Sequence, residues 1–237
     1  SVGSACTMPF PVISIDGPVG SGKTTVGHVV ADRHGYVCLD SGIFYRAAAL
    51  LVLRSKIDSS DVRQVVRLVK SLDLEFVSHG NSSDGQRVLN CGQDITAVIQ
   101  SSAVDSIVSN VSRIPEVRTD LVNVQRRFLG AGGVVAIGRD IGTVVWPQAE
   151  LKIYLTASLE ARTDRKLVQR RETGEAVEKA EVRALLESRD HTDSTRAHAP
   201  LMAAEDAVHI DSSCSRPDEI ADAIDALLWD RNLMSEA

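Results

Sequence analysis

The sequence has no C-x-x-C pair and no group of Cys and His at metal-ligand spacing. Its four cysteines, Cys6, Cys38, Cys91 and Cys214, are widely scattered. That excludes a zinc ribbon and makes free thiols in a reducing, cytoplasmic compartment the expectation, rather than disulfides. Long apolar runs are missing too. The longest is Ala47–Leu53, far short of a bilayer span, so no membrane partner is expected. Ser1–Thr7 has neither a basic nor an apolar signal-peptide region, so no signal peptide is expected there. The segment reads either as native sequence or as a remnant ahead of a start at Met8. An excess of basic residues is also absent. The net charge of −6 argues against a general nucleic-acid binder. An arginine-lined cleft for a small phosphorylated molecule still fits inside such an acidic total.

What is present begins at residue 12. An apolar strand, Val-Ile-Ser-Ile-Asp, runs directly into Gly17-Pro18-Val19-Gly20-Ser21-Gly22-Lys23-Thr24-Thr25, a G-x-x-x-x-G-K-T loop. Gly17, Gly20 and Gly22 allow backbone angles and close approaches that a Cβ would forbid. The loop N–H groups can then turn inward onto phosphate oxygens. Lys23 opens a helix, so its ammonium and the helix N-terminus act on one anion. Thr24 offers the hydroxyl expected on Mg²⁺, and Thr25 adds a donor one position on. The amphipathic run after the loop (Val26, Val29, Val30) supplies the helix that the motif requires. A nucleoside triphosphate is therefore the expected ligand.

With 237 residues and 43% hydrophobic content, the chain can bury a sizeable core. Strand signals at 12–16, 36–39, 134–137, 151–155 and 207–210 alternate with helical patterns at 23–34, 43–54, 60–71, 158–171 and 177–188. A last helix is expected from the capping signal Ser215-x-x-Asp218, with Pro217 in its first turn and a stripe of Ile220, Ala223, Ile224, Leu227 and Leu228. This alternation predicts an α/β fold with a five-stranded parallel sheet. Residues 73–100 break the pattern. Leu74–Val77, a polar loop at His79–Gly85, Arg87–Asn90 and a further β-like run after Cys91-Gly92 read as a small antiparallel insertion.

Three polar motifs sit beside these elements: Asp40-Ser41-Gly42-x-x-Tyr45-Arg46, Gly138-Arg139-Asp140-x-Gly142-Thr143, and Arg189-Asp190-His191-x-Asp193-x-x-Arg196. With Arg118 they bring several arginines to strand ends and loops, where a fixed guanidinium fork suits phosphate oxygens. Taken singly, each arginine could equally be a surface ion-pair partner. Asp140 could cap a helix at Ile141, and Asp193 could cap a turn. His191 and His198 read as surface residues, Tyr45 as packing, and Lys166–Arg171 as a solvated helix face. The guanine-reading N-K-x-D and the transporter signature Leu-Ser-Gly-Gly-Gln are absent.

The segments I-D-G-P-V-G-S-G-K-T-T, L-D-S-G-x-x-Y-R, G-R-D-I-G-T-V-V-x-P and R-D-H-x-D-S-T-R-A-x-A-P-L together resemble the bacterial cytidylate kinases of the longer type, over about residues 11–230. The resemblance implies a P-loop three-layer αβα fold, with the antiparallel insert at 73–100 and a helical lid. It divides a single kinase domain, 1–237, into a core (9–40, 130–170, 197–237), a monophosphate-binding region (41–129) and a lid (171–196). It implies phosphoryl transfer from ATP to CMP and dCMP, with Mg²⁺, in a cytoplasmic enzyme expected to be a monomer, with no nucleic-acid partner. Lys23, Arg139 and Arg196 would be catalytic. Arg162 and Arg165 would steady the ATP side. Ser41 and Arg46 would take the acceptor phosphate with Arg139 and Arg196. Ser109, Arg118 and Asp140 would read the cytosine. Arg189 and Asp193 would sit near the ribose. A carboxylate at Asp140 accepts from the 4-amino group of cytosine and repels the carbonyl of uracil. A kinase of another monophosphate, such as UMP, and a non-catalytic nucleotide switch are the alternatives.

One departure stands out. The family carries an acid immediately before Gly-Arg-Asp, commonly helping to hold Mg²⁺ through water; here the residue is Ile137. Weaker Mg²⁺ binding is expected, restored by Ile137→Glu. Asp16 or Asp140 could take over, or the metal could rest on Thr24, phosphates and water alone.

Overall fold

A computed structural model describes residues 10–77, 86–172 and 174–234. Ser1–Thr7, Met8 and the loop His79–Gly85 lie outside the described residues. Five parallel strands form the central sheet: β1 (Val12–Asp16), β2 (Val37–Asp40), β6 (Val134–Gly138), β7 (Leu151–Thr156) and β8 (Val208–Asp211), in the order β2-β6-β1-β7-β8. β1 is central and every one of its residues is buried, as a strand covered on both faces requires. On one face lie α1 (Lys23–His34) and α8 (Pro217–Asp230), over Ile13, Ile15, Val135, Ile137, Ile153 and Leu155. On the other lie α2 (Gly42–Arg54), α3 (Val62–Val69), α4 (Ser102–Ser112) and α5 (Pro115–Leu129), sharing a core with Leu39, Val134 and Ala136. This is the expected three-layer α/β fold.

The insertion at 73–100 is a three-stranded antiparallel sheet, β3 (Leu74–Val77), β4 (Arg87–Asn90) and β5 (Gln93–Asp94). It joins the core through Phe76, which packs edge-on to Phe128 and tilted against Phe44. A helical pair, α6 (Leu159–Glu172) and α7 (Lys179–Thr195), carries its own cluster of Leu167, Val182 and Leu186, with Val19 of the phosphate loop packed against it.

Four local readings are corrected. α7 continues past residue 188 to Thr195, so Arg189 and Asp193 stand on a helix rather than after one. The polar run has no apolar periodicity to advertise a helix. Its Ser194 and Thr195 hydroxyls bond back to the Asp190 and His191 carbonyls. α8 is capped at Arg216, one residue beyond Ser215, with Glu219 accepting from the Arg216 N–H at 2.9 Å. Its buried stripe contains Ala221 rather than Ala223. Residues 141–145 form a π-helical turn that no sequence signal announced. Among the described residues no helix is long and apolar enough to cross a membrane.

Candidate active site

The phosphate loop leaves the C-terminal end of β1, where the strand order diverges and open α/β sheets place their ligands. Its shape depends on glycine. Gly17 has φ +152°, and a Cβ there would lie 2.0 Å from the Leu155 carbonyl oxygen. Lys23 is buried, and its Nζ donates to the Pro18 carbonyl at 2.6 Å. Burial pulls the Lys23 ammonium well below its ordinary pKa, and Arg139 nearby adds to the effect. An anion in the loop would relieve both. The loop opens onto a cavity of about 1030 Å³.

That cavity gathers most of the expected residues. Val19–Thr25 and Arg165 line one end. Ser41, Arg46, Ser109, Arg118, Arg139, Asp140, Arg189, Asp193 and Arg196 line the remainder. Gly17 and Pro18 form the loop beneath the wall rather than the wall itself. Arg162 is also absent from the lining. It is buried, with Nε on the Ala157 carbonyl at 3.0 Å and Nη1 on the Val19 carbonyl at 3.3 Å, and it pairs with Asp190 at 2.7 Å. It thus ties the phosphate loop to α7. Arg165 reaches the Gly20 carbonyl and Ser212, whose hydroxyl donates to the Ser21 carbonyl at 2.8 Å.

At the other end, Arg118 of α5 and Asp140 form a buried pair, Nη2 to Oδ2 at 2.5 Å. Asp140 starts the π-turn but makes no capping bond with its side chain. Its second oxygen lies 3.7 Å from Arg196 Nη2, a buried donor with no hydrogen-bond partner among the described residues. Burial, then the neighbouring Arg118, hold the Arg196 guanidinium below its usual pKa. Arg118 also stacks over the Tyr45 ring, 5.1 Å from its centroid. Arg139 bonds Asp193 at 3.1 Å, joining the strand end to α7. Arg189 is likewise lowered by burial and by Arg139. Arg46 is tied to the Ile99 carbonyl and to Asp105 at 2.6 Å. The Ser109 side chain is exposed on α4, at the wall.

Asp16 and Asp140, expected to replace the missing acid, are both occupied. Asp16 is buried and accepts from the Ile141 and Gly142 N–H groups at 2.9 and 2.8 Å. Burial lifts its pKa to about 6. Asp140 is held by Arg118. Ile137 packs in the apolar cluster under α1, so an acid substituted there would be buried among hydrocarbon. No described group of three or more His, Cys, Asp or Glu forms a metal cluster. His191 and His198 are exposed.

Several cleft residues escaped the sequence reading. Lys166, Gln169 and Arg170 line the cavity, although the run Lys166–Arg171 read as solvated. Buried Leu167 beside these long polar side chains was the available signal. Asp40 and Asp105 are also on the wall.

A family model described as Cytidylate kinase matches residues 13–228. The cytidylate kinase of Saccharophagus degradans is 41% identical over 223 residues, covering 94% of this chain and 98% of that protein. That of Ralstonia pickettii is 42% identical over 217 residues, covering 92% and 91%. That of Streptococcus sanguinis is 42% identical over 202 residues, covering 85% and 88%. A phosphate loop facing an arginine-rich second pocket, with a family match over nearly the whole length, places the chain in the cytidylate kinase family, nucleoside monophosphate kinases that phosphorylate CMP with ATP.

Proposed function

We propose that the 1030 Å³ cleft holds ATP on the phosphate loop and CMP against Arg118 and Asp140, and that it also accepts dCMP. The observation carrying this reading is the Arg118–Asp140–Arg196 group. A buried carboxylate with one oxygen taken by Arg118 keeps lone pairs for the cytosine amine. The Arg196 Nη2, without a hydrogen-bond partner among the described residues, is a donor that a phosphate oxygen would satisfy. The acceptor phosphate then lies between Arg196, Arg139, Arg46 and Ser41, with Ser109 at the base and Arg189 and Asp193 at the ribose.

The chemistry follows from charge. An oxygen of the CMP phosphate attacks the γ-phosphorus of ATP in line, a P–O bond forms, and the bond to the ADP oxygen breaks. The attacking group is already anionic, so no strong general base is needed. Catalysis is orientation plus stabilisation of the transferred group by Lys23, Arg139 and Arg196. Lys23 must be charged for this. Its depressed pKa in the free protein returns upward when ATP phosphates replace lost water. Arg162 acts by fixing the loop to α7, and Arg165 by holding the Gly20 turn.

Hard oxygen donors suit Mg²⁺, and the Thr24 hydroxyl stands in the cleft beside glycine turns that leave room for phosphates. Bound there with ATP, Mg²⁺ would neutralise β- and γ-phosphate charge. The region division stays as inferred from the sequence: core 9–40, 130–170 and 197–237, monophosphate-binding region 41–129, and a lid at 171–196 that closes to exclude water. We further infer a cytoplasmic monomer with no nucleic-acid or membrane partner.

The test is direct separation of nucleotides after incubating the protein with Mg-ATP and CMP. CDP and ADP in equal amounts, lost in Lys23→Ala, support the reading. ADP without CDP would refute it.

A further inference from the structure

A carboxylate stands one strand away from Ile137, on the wall of the cleft. β2 and β6 pair in parallel with Asp40 opposite Ile137 and Cys38 opposite Val135. Cys38, Val135 and Ile137 all belong to the apolar cluster under α1. Side chains alternate along a strand, so Asp40, two residues after Cys38, points to the same face. It therefore stands about 4.8 Å across the sheet from the Ile137 position. It is also on the side of the sheet where α1 begins with Lys23 and Thr24.

The other carboxylates of the cleft each have their charge paired with an arginine: Asp140 with Arg118, Asp193 with Arg139, Asp105 with Arg46. Asp16, behind the wall, gives both oxygens to backbone N–H groups. Among the described residues Asp40 has no ion pair. Its Oδ1 accepts from the Gly42 N–H at 2.8 Å, which fixes the side chain and leaves Oδ2 for another partner. Asp40 is partly exposed on the cavity wall. Lys23 and Thr24 line the same cavity wall as Asp40.

We propose that Asp40 supplies the carboxylate in the shell of the Mg²⁺ that accompanies ATP. The proposal rests on the assignment of the metal–triphosphate to the Thr24 end of the cleft. A hydroxyl and a carboxylate lining one cavity are the oxygen donors that Mg²⁺ takes, with phosphates and water completing the set. The apolar Ile137 beside Asp40 keeps solvent from one flank of that carboxylate.

The experiment compares wild type with Asp40→Asn by calorimetric titration of ADP, with and without Mg²⁺. The carboxamide keeps an oxygen for the Gly42 N–H and removes the charge, so the turn survives. In wild type Mg²⁺ should tighten ADP binding. In Asp40→Asn that tightening should shrink about tenfold, the scale of a lost outer-shell partner. Binding of metal-free ADP should be unchanged or tighter. Paramagnetic resonance of Mn²⁺ with ADP gives a second readout, with a weaker ternary complex in Asp40→Asn and recovery in Asp40→Glu. Equal Mg²⁺ dependence in wild type and Asp40→Asn would overturn the proposal while leaving the metal site standing. No Mg²⁺ dependence in wild type would instead overturn the metal assignment on which it rests.

Discussion

Replacing Asp140 by Asn separates two functions of one carboxylate. In the folded protein Asp140 and Arg118 are 4% and 6% exposed and meet at 2.5 Å, with Arg196 3.7 Å from the other oxygen. Asparagine keeps the shape and one acceptor but removes the negative charge between two guanidinium groups. Breaking a buried ion pair outright costs about 3–5 kcal/mol. Retaining a neutral acceptor for Arg118 recovers part of that, leaving a loss of about 2 kcal/mol. For a domain of this size the melting temperature should fall by roughly 4–8 °C. Selectivity should change more. The carboxylate accepts from cytosine and repels the 4-carbonyl of uracil, whereas a carboxamide can satisfy either. A discrimination of about 1–3 kcal/mol should therefore collapse, lowering the CMP-to-UMP ratio of kcat/KM roughly 5- to 150-fold. A coupled ADP-release assay with both acceptors measures the ratio, and thermal unfolding measures the stability. An unchanged ratio in a folded variant would remove Asp140 from base reading. An unchanged melting temperature would show that the buried pair adds nothing to stability.

Other expectations follow from the same geometry. Asp16 titrates at about 6 in the folded protein against an ordinary value of 3.8, so between these values the folded state holds the proton more firmly. Its contribution to stability is greatest below about pH 4 and declines by about 3 kcal/mol as the pH rises through about 6. Urea unfolding across this range should show the slope, and Asp16→Asn should abolish it. An identical slope in the variant would contradict the assignment. A Cβ on Gly17 would meet the Leu155 carbonyl oxygen at 2.0 Å, so Gly17→Ala should abolish ATP binding by calorimetry; retained affinity would mean the loop can relax. Gly27→Ala would press on Ile137 Cδ1 at 2.5 Å and should cost about 1–3 kcal/mol in unfolding free energy, with part recovered in the double variant with Ile137→Val. Arg162→Ala removes the link from the Val19 carbonyl to Asp190 and should destabilise by about 2 kcal/mol while raising KM for ATP more than for CMP. Equal effects on both KM values would argue against a role at the phosphate loop.

Much of this molecule could be read without coordinates because its chemistry is local in sequence. The phosphate loop needs glycines, a lysine and a following helix in one continuous stretch, and buried parallel strands announce themselves as short apolar runs. The acceptor-side motifs were legible for the same reason, each lying within a few residues of a strand or helix end. What escaped was set by tertiary contact. The extension of α7 to Thr195 has no apolar period, and is held by Asp193 on Arg139 and Asp190 on Arg162. The sequence could not distinguish Arg162, turned into the protein, from Arg165, on the cleft wall, because the two are three residues apart on one helix. The occupation of Asp16 by the amides of Ile141 and Gly142 spans more than a hundred residues of chain. Asp40 lies inside the Asp40-Ser41-Gly42 motif, yet its place opposite Ile137 appears only in the register of β2 against β6.

The central claim is that one cleft joins ATP to a cytosine monophosphate. The most direct test is a coupled ADP-release assay with Mg-ATP and, in turn, CMP, dCMP, UMP, AMP and no acceptor. Fast turnover with CMP and dCMP, with little from the others, is the predicted result. Turnover favouring UMP or AMP, or ATP hydrolysis indifferent to the acceptor, would contradict it.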